Sequence, residues 1–600
     1  AQVGGTETYQ MNQVTGGVFG AGLYFSDTHA LLSNTVVASN TFSSGAGWGG
    51  GIVAWGGSVV TLTNDSRVEY HRAPLSGWFG GSGAGLLVYS STVTLDDSHV
   101  LSNTADIGGG GIYMVETSVL DVLNDSSIIN NHALNGSGGG LAATDIPDIN
   151  ISGVVLRQNT AGTDGGAIHI DGGTLDFTGS WTLRSNEADG NGGAVAVLGT
   201  ADADFDAGSY SLVYDNRAGG HGGAIYVGNG DTIRIYAVSG SQVYVYANQA
   251  GESGGVLYSD SGATFDLYGQ VNLDRNWASN GPGGVVYLGG GGKLWLDDFF
   301  TVAPELWDNR AYNNHGGAVY AAGGATVECD GAMLGHEGDG NLAFTGSGGA
   351  IYLSGSTLDS DNCTFVDNEA ENHGGAIAAY TSTLDIRANF ASVLAPTRGS
   401  SHAPDALLAT GCDPSAGPCS AFSGNLADSD ENDTGRGGAL YTNDGSTHIA
   451  HTHFYSNTAT RGGAVYQVGI NALTDIANTL IYSNTSTANF GAGIRTAGGA
   501  FTVTHVTLAN NVNGAGYSQS NSEGHAENSI AWGNSNGGFW VTSGPLAGTC
   551  NIDQSSNAGS ATDPHFVDAA NGDFHLLGDS PAIDACATGL SPDLDNVLRP

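Results

Sequence analysis

Residues 165–195 open Gly165-Gly166-Ala167-Ile168-His169-Ile170, pass through Leu175-Asp176-Phe177 and Trp181-Thr182-Leu183, reach Asn186, and return to Gly192-Gly193-Ala194-Val195. Within this stretch three short apolar runs alternate with polar or small residues: Ile168 and Ile170, Leu175 and Phe177, Trp181 and Leu183. Alternation with period two over four to six residues is the mark of a half-buried strand. The Gly, Asn, Asp and Ser between the runs supply turns. No stretch has the 3.6-residue period of an amphipathic helix.

The same phrase returns along the chain. Two glycines, a small residue, an aliphatic and then often a tyrosine appear at Gly222 to Tyr226, Gly254 to Tyr258, Gly283 to Tyr287, Gly316 to Tyr320, Gly348 to Tyr352, Gly437 to Tyr441 and Gly462 to Tyr466. A second phrase, an apolar residue, two variable ones and asparagine, precedes each copy, as in Val100 to Asn103, Leu156 to Asn159, Val245 to Asn248 and Phe422 to Asn425. Fixed-order repeats of this kind specify a stacked architecture. Three strands per period and no helix predict an all-β fold, a right-handed parallel β-helix of about 18 coils. A propeller needs four strands in about 40 residues per blade, which these periods do not provide. Glycine suits turns of positive φ and close backbone approach. The asparagine column reads as a buried ladder, because its side chain can bond backbone groups and its own copies in neighbouring coils.

The glycine and asparagine phrases resemble the repeats of the chlamydial polymorphic outer-membrane protein family and, more broadly, bacterial right-handed parallel β-helix repeat proteins. The likeness covers roughly residues 17–545. It implies a secreted or cell-surface adhesin or passenger. The chain departs from that family after residue 545, where no outer-membrane barrel follows. The tail, Asp563-Pro564-His565-Phe566-Val567-Asp568, Asn571-Gly572-Asp573-Phe574-His575-Leu576 and Ser580-Pro581-Ala582-Ile583-Asp584-Ala585, resembles the stretch that precedes a cell-surface anchor in secreted bacterial β-helix proteins. The expected organisation is an entry strand or cap at 1–16, the β-helix at 17–545 with an insertion around 385–425, and a tail at 546–600.

Composition narrows the partners. Fifteen Lys and Arg face 58 Asp and Glu, a formal net charge of −43. Such a surface repels nucleic acid and anionic lipid. No apolar run is long enough to span a bilayer as a helix. The expected partners are other copies of the chain or cell-surface proteins and glycans.

Six cysteines in a chain of this kind favour disulfides. Cys329 and Cys363 fall at almost the same phase of adjacent periods and so lie close enough to bridge. Cys412 and Cys419 sit inside the insertion and would clip it, and Cys550 with Cys586 would tie the tail to the last coil. No C-x-x-C pair or Cys/His cluster suggests a metal instead. Calcium is the one ion the sequence raises, through the oxygen-rich stretches Asp202-Ala203-Asp204-Phe205-Asp206 and Asp428-Ser429-Asp430-Glu431-Asn432-Asp433. The first of these equally describes a strand with its acids facing water.

Parallel β-helices also include polysaccharide lyases and glycoside hydrolases. Gly220-His221-Gly222 matches part of a pectin-hydrolase pattern, but His221 occupies a turn slot held elsewhere by Asp164, Asn191, Ser253, Pro282 or Arg461. Asp96-Asp97 and Asp297-Asp298 are isolated pairs, and Lys293 is the only lysine. The chain is therefore read as a structural or adhesive protein without catalysis, with a carbohydrate-active enzyme as the alternative. The candidate contact surface is tyrosine. If Ile225 points inward, Tyr226 points out, and the same slot holds Tyr258, Tyr287, Tyr320 and Tyr352. Stacking within the sheet is the competing account of that column.

Overall fold

The computed structural model describes residues 2–10, 13–15, 22–44, 49–74, 81–228, 230–237, 240–260, 262–298, 302–388, 420–428 and 434–583. They form a parallel β-solenoid with no α-helix among the described residues. No described helix is long and apolar enough to cross a membrane. The chain divides into two compact units, Ala1–Leu294 and Trp295–Pro600.

In the first unit one turn runs Ile225–Val227, Thr232–Ala237, Gln242–Tyr246 and Gln249–Ala250. The next runs Leu257–Ser259, Thr264–Gly269, Val271–Asp274 and Trp277–Ala278. Each strand pairs in parallel with its counterpart one turn on, Ile225 with Leu257, Ile233 with Phe265, Val245 with Leu273 and Ala250 with Ala278. The three expected strands are thus joined by a fourth, two residues long, that follows the asparagine. We call them the glycine-led, second, third and short strands. In the second unit Val319–Ala322, Thr326–Asp330, Met333–Leu334 and Leu342–Ala343 lie under Ile351–Ser354, Thr357–Asp361, Thr364–Val366 and Glu369–Ala370 in the same way.

The glycine pair is required twice over. Gly222 has φ +64°, and a Cβ there would meet the Ile225 carbonyl at 2.3 Å. Gly223 faces the next turn, where a Cβ would meet the Gly255 carbonyl at 2.1 Å. The first glycine makes the turn and the second lets the coils close up.

The interior is a stack of aliphatic and phenylalanine side chains. Phe177 and Phe205 stack at 4.7 Å in the first unit, and Phe365, Phe422 and Phe454 at 4.5 and 4.7 Å in the second. The asparagines form the buried ladder. In the first unit Asn103, Asn131, Asn159, Asn186, Asn216 and Asn248 are fully buried, and each backbone N–H donates to the Oδ1 of the next, as from Asn186 to Asn216 at 3.1 Å. Each Nδ2 donates to the same Oδ1 and to a carbonyl of the preceding turn. The ladder thereby satisfies donors that would otherwise be buried at a corner without partners. His71 replaces asparagine in one rung: its Nδ1 accepts the Asn40 N–H at 3.0 Å, and its Nε2–H donates to the Val37 carbonyl at 2.8 Å.

The parallel solenoid is the expected one, and its number of turns differs slightly from the 18 expected. Short strands number ten in the first unit and six in the second among the described residues. After Thr485–Phe490 the short strand drops out while the other ladders go on, and the asparagine spacing falls to 23 residues from Asn511 to Asn534. The insertion leaves the pairing intact, with Ile377–Arg387 under Leu440–Ala450 and Phe365 beside Phe422. Ladder pairing continues as far as Ile552–Asp553. Beyond it, Phe566–Asp568 and Asp573–Leu576 pair antiparallel. This hairpin docks on the solenoid of its own unit through Phe574 against Tyr482 at 5.2 Å, and Asn510 Nδ2 donates to the Ala569 carbonyl at 2.8 Å.

Candidate functional site

The tyrosine slot lies on the outer side of the glycine-led strands: Ile225 is buried and Tyr226 is half-buried on the opposite side. In the first unit the rings of Tyr226, Tyr258 and Tyr287 stack at 5.5 and 4.7 Å, with interplanar angles of 10° and 16°. In the second unit Tyr320 and Tyr352 stack at 5.2 Å and 2°. Tyr380, Tyr441 and Tyr466 extend that stack at 5.3 to 5.9 Å. Tyr226, Tyr287, Tyr320 and Tyr352 keep part of their surface open, whereas Tyr258 is buried, 7% exposed.

The cover comes from the turn slot that precedes each glycine pair. His221 lies flat on Tyr258 at 4.2 Å, His315 on Tyr352 at 4.3 Å and His373 against Tyr441 at 4.5 Å. Arg436 sits over Tyr466 at 5.4 Å. These slot residues also form an outer ladder. The His221 N–H donates to Asn191 Oδ1 at 2.9 Å, and His221 Nδ1 accepts the Ser253 N–H at 3.3 Å. His315 Nδ1 accepts the Ser347 N–H at 3.0 Å. His221 is therefore a turn and stacking residue here. Burial lowers the pKa of His221 and His315, and takes that of His373 to about 4. Burial, with the neighbouring tyrosines, pushes Tyr352 up to about 12. These tyrosines and the histidines that cover them are thus uncharged near neutral pH on a strongly acidic chain.

A second feature occupies the corner beside the short strands of the second unit. A groove of about 540 Å³ is lined by Asp308, Arg310, Asp339, Asp367, Glu369 and Gly424, among others. Glycine creates the space, since a Cβ on Gly424 would fall 1.8 Å from Asp367 Oδ1. The other Asp367 oxygen accepts the Gly338 N–H at 2.8 Å, and Asp308 pairs with Arg310 at 2.8 Å. Burial first, and then the charge of Asp367, raise the pKa of Glu369.

No protein family model matches the chain, and no curated protein or solved structure matches it. The parallel solenoid stands on its own geometry.

Cys329 and Cys363 are bonded across adjacent turns, with Cα atoms 6.3 Å apart. Cys550 is disulfide-bonded. Cys412, Cys419 and Cys586 lie outside the described residues. Of the two stretches weighed for calcium, Asp202, Asp204 and Asp206 alternate outward from a strand whose Ala203 and Phe205 are buried, so the water-facing account describes them. Residues 429–433 lie outside the described set. No group of three His, Cys, Asp or Glu side chains is placed to hold a metal ion among the described residues.

Sequence reading missed a second aromatic surface, on the third strands of the first unit. Tyr214 and Tyr246 stack at 4.8 Å and 8°, and Tyr210 meets Tyr244 at 5.2 Å. Arg184 Nη1 donates to Tyr214 Oη at 2.8 Å, and Arg275 lies 5.4 Å above the Tyr246 ring. The alternation of Tyr210, Leu212 and Tyr214 with the buried Ser211 and Val213 was the available signal.

Proposed function

We propose that the chain is an extracellular or cell-surface solenoid with a structural or adhesive role, and that its tyrosine strip is a contact surface for self-association or for surface proteins. The strip is the observation that carries the reading. On a chain of net charge −43, two copies repel one another over most of their surface. An uncharged, half-open aromatic line is where that repulsion is smallest and where apolar contact gains most. The Cys329–Cys363 bond supports an oxidising location. Negative-stain microscopy of the purified chain, beside the Tyr320→Ser/Tyr352→Ser variant, tests the reading: ordered multimers that the variant loses support it, and single particles throughout overturn it.

The corner groove favours one other reading, a carbohydrate-active enzyme. Glu369, whose pKa burial raises, and Asp308, ion-paired to Arg310, are two carboxyl groups in different surroundings, the kind of pair that acid–base cleavage of a glycosidic bond uses. Release of reducing ends from polysaccharides by the wild type, lost in Asp367→Asn and Glu369→Gln, would establish it. No release from any polymer would remove it.

A further inference from the structure

Arg157 and Arg184 are register partners on neighbouring third strands of the first unit, Val155–Arg157 and Thr182–Arg184. Paired strands lie about 4.8 Å apart, so two cationic residues occupy the same position on neighbouring rungs, with Arg184 Nη1 donating to Tyr214 Oη at 2.8 Å. The other five arginines of this unit, Arg67, Arg72, Arg217, Arg234 and Arg275, each have a carboxylate within 4 Å. Arg157 and Arg184 have no such partner among the described residues. In a chain with 58 acidic side chains against 15 basic ones, that pairing of cations without a counter-charge points to an anion from outside.

The column continues from Arg157 and Arg184 into Tyr214 and Tyr246, again register partners. Beside it stand Tyr244 and Tyr210, the latter 51% exposed. Guanidinium forks match carboxylates in a bidentate geometry, and tyrosine offers an apolar ring with a hydroxyl at its edge. Four rungs by one strand span on the order of 300 Å², well short of the roughly 800 Å² per partner that a stable protein interface buries. The patch has the dimensions of a short linear segment. At physiological salt the screening length is about 8 Å, so the overall acidity acts weakly on a ligand seated against the two arginines.

We propose that this patch binds an acidic linear polysaccharide, Arg157 and Arg184 taking the carboxylates of uronic acid units and the tyrosines lying along the sugar rings. The site is separate from the strip on the glycine-led strands and does not depend on that strip's self-association.

The test is titration calorimetry of the purified full chain with a polyuronate, a sulfated glycan and a neutral glucan, alongside Arg157→Gln/Arg184→Gln and Tyr210→Ser. The polyuronate is expected to bind, the double arginine variant to lose about tenfold or more in affinity, the value of one charge-assisted hydrogen bond, and all proteins to share the wild-type melting transition. Equal binding of the neutral glucan, preference for the sulfated glycan, or unchanged polyuronate binding by the double variant would each overturn the assignment. So would absence of glycan binding together with a change in sedimentation in that variant, which would make the occupant a second copy of the chain.

Discussion

Asn368 and Asn425 are separated by 57 positions in sequence and stacked directly on one another: the Asn368 N–H and Nδ2 both donate to Asn425 Oδ1 at 3.0 Å. The insertion leaves the chain and returns to it without displacing the ladder by a rung. Asn425 Nδ2 in turn donates to the Phe365 carbonyl at 3.0 Å. Asn425→Ala strands these buried groups, each at about 1–3 kcal/mol. The expected loss is about 3 kcal/mol or more, read as a lower denaturant midpoint at constant slope. Asn425→Asp should do little better, because it restores the acceptor and not the donor. A midpoint unchanged in Asn425→Ala would mean that the ladder merely fills space.

His71 makes its own rung of the asparagine ladder, between Asn40 and Asn103, pH-sensitive. Burial takes its pKa to about 4, against 6.5 for an open histidine, with two backbone hydrogen bonds opposing the shift. The unfolded chain gains a proton as pH falls through 6.5, while the folded protein holds off until near 4. Stability from this group is therefore complete above pH 6.5 and lost between 6.5 and 4. At 1.36 kcal/mol per pH unit the loss is about 3 kcal/mol. His71→Asn continues the ladder with an uncharged side chain, so its stability should fall less steeply over that window. Identical slopes for the two proteins would exclude His71 as the source.

The Cys329–Cys363 bond closes a sequence separation of 34 residues. By chain entropy a loop of that size is worth about 4 kcal/mol at 25 °C. Both cysteines are buried, at 2% and 0% exposure, so reductant should reach them only on unfolding. Cys329→Ala/Cys363→Ala is expected to melt several degrees below the wild type, and the folded wild type to resist reductant for hours. A free-thiol assay showing rapid reduction of the folded chain would contradict this placement.

Arg387 gathers carboxylates from its own turn and the one before: Asp359 at 3.0 Å, Asp361 at 2.8 Å, and Asp385. Close by, burial and then the charges of Asp298, Asp361 and Asp297 lift Asp330 to about 7. A carboxyl raised in the folded state gives stability below its unfolded pKa and loses it as pH climbs towards 7. Arg387→Gln removes the only cation of this set. The partly exposed site limits the loss to about 2 kcal/mol, and most of it should vanish in high salt, which screens the pairs. A penalty equal at low and high salt would assign Arg387 a packing role instead.

What could be read from sequence was whatever recurs at fixed phase. Glycine pairs and asparagines repeat because backbone geometry demands them in every turn, and the bridge from Cys329 to Cys363 followed from the same spacing. Asn341 escaped because seven positions, with a small His336–Asp339 bridge among them, separate it from Leu334 instead of the usual three. His71 escaped because it does an asparagine's work with a different side chain. The Tyr214–Tyr246 pair occupies only two rungs and so carries no periodic signal. Nor did the spacing reveal how deeply the tyrosine strip lies, since its cover comes from the turn slot of another rung, as with His221 over Tyr258 and His315 over Tyr352.

That cover separates two roles for the strip. Tyr352 is clasped by His315, Tyr320 and Tyr380, so removing its ring costs stacking inside the protein, about 0.5–1.5 kcal/mol per ring pair. Tyr320 is half-buried and keeps part of its surface exposed. Tyr320→Ser should therefore lower melting by only a few degrees while weakening assembly strongly. Tyr352→Phe, which keeps the ring and drops the hydroxyl, should leave both nearly unchanged. Melting curves and sedimentation velocity on the same samples resolve the two effects. Parallel losses of stability and assembly in every variant would make the strip an element of the fold alone, and an assembly defect in Tyr320→Ser at near wild-type melting would make it an interface.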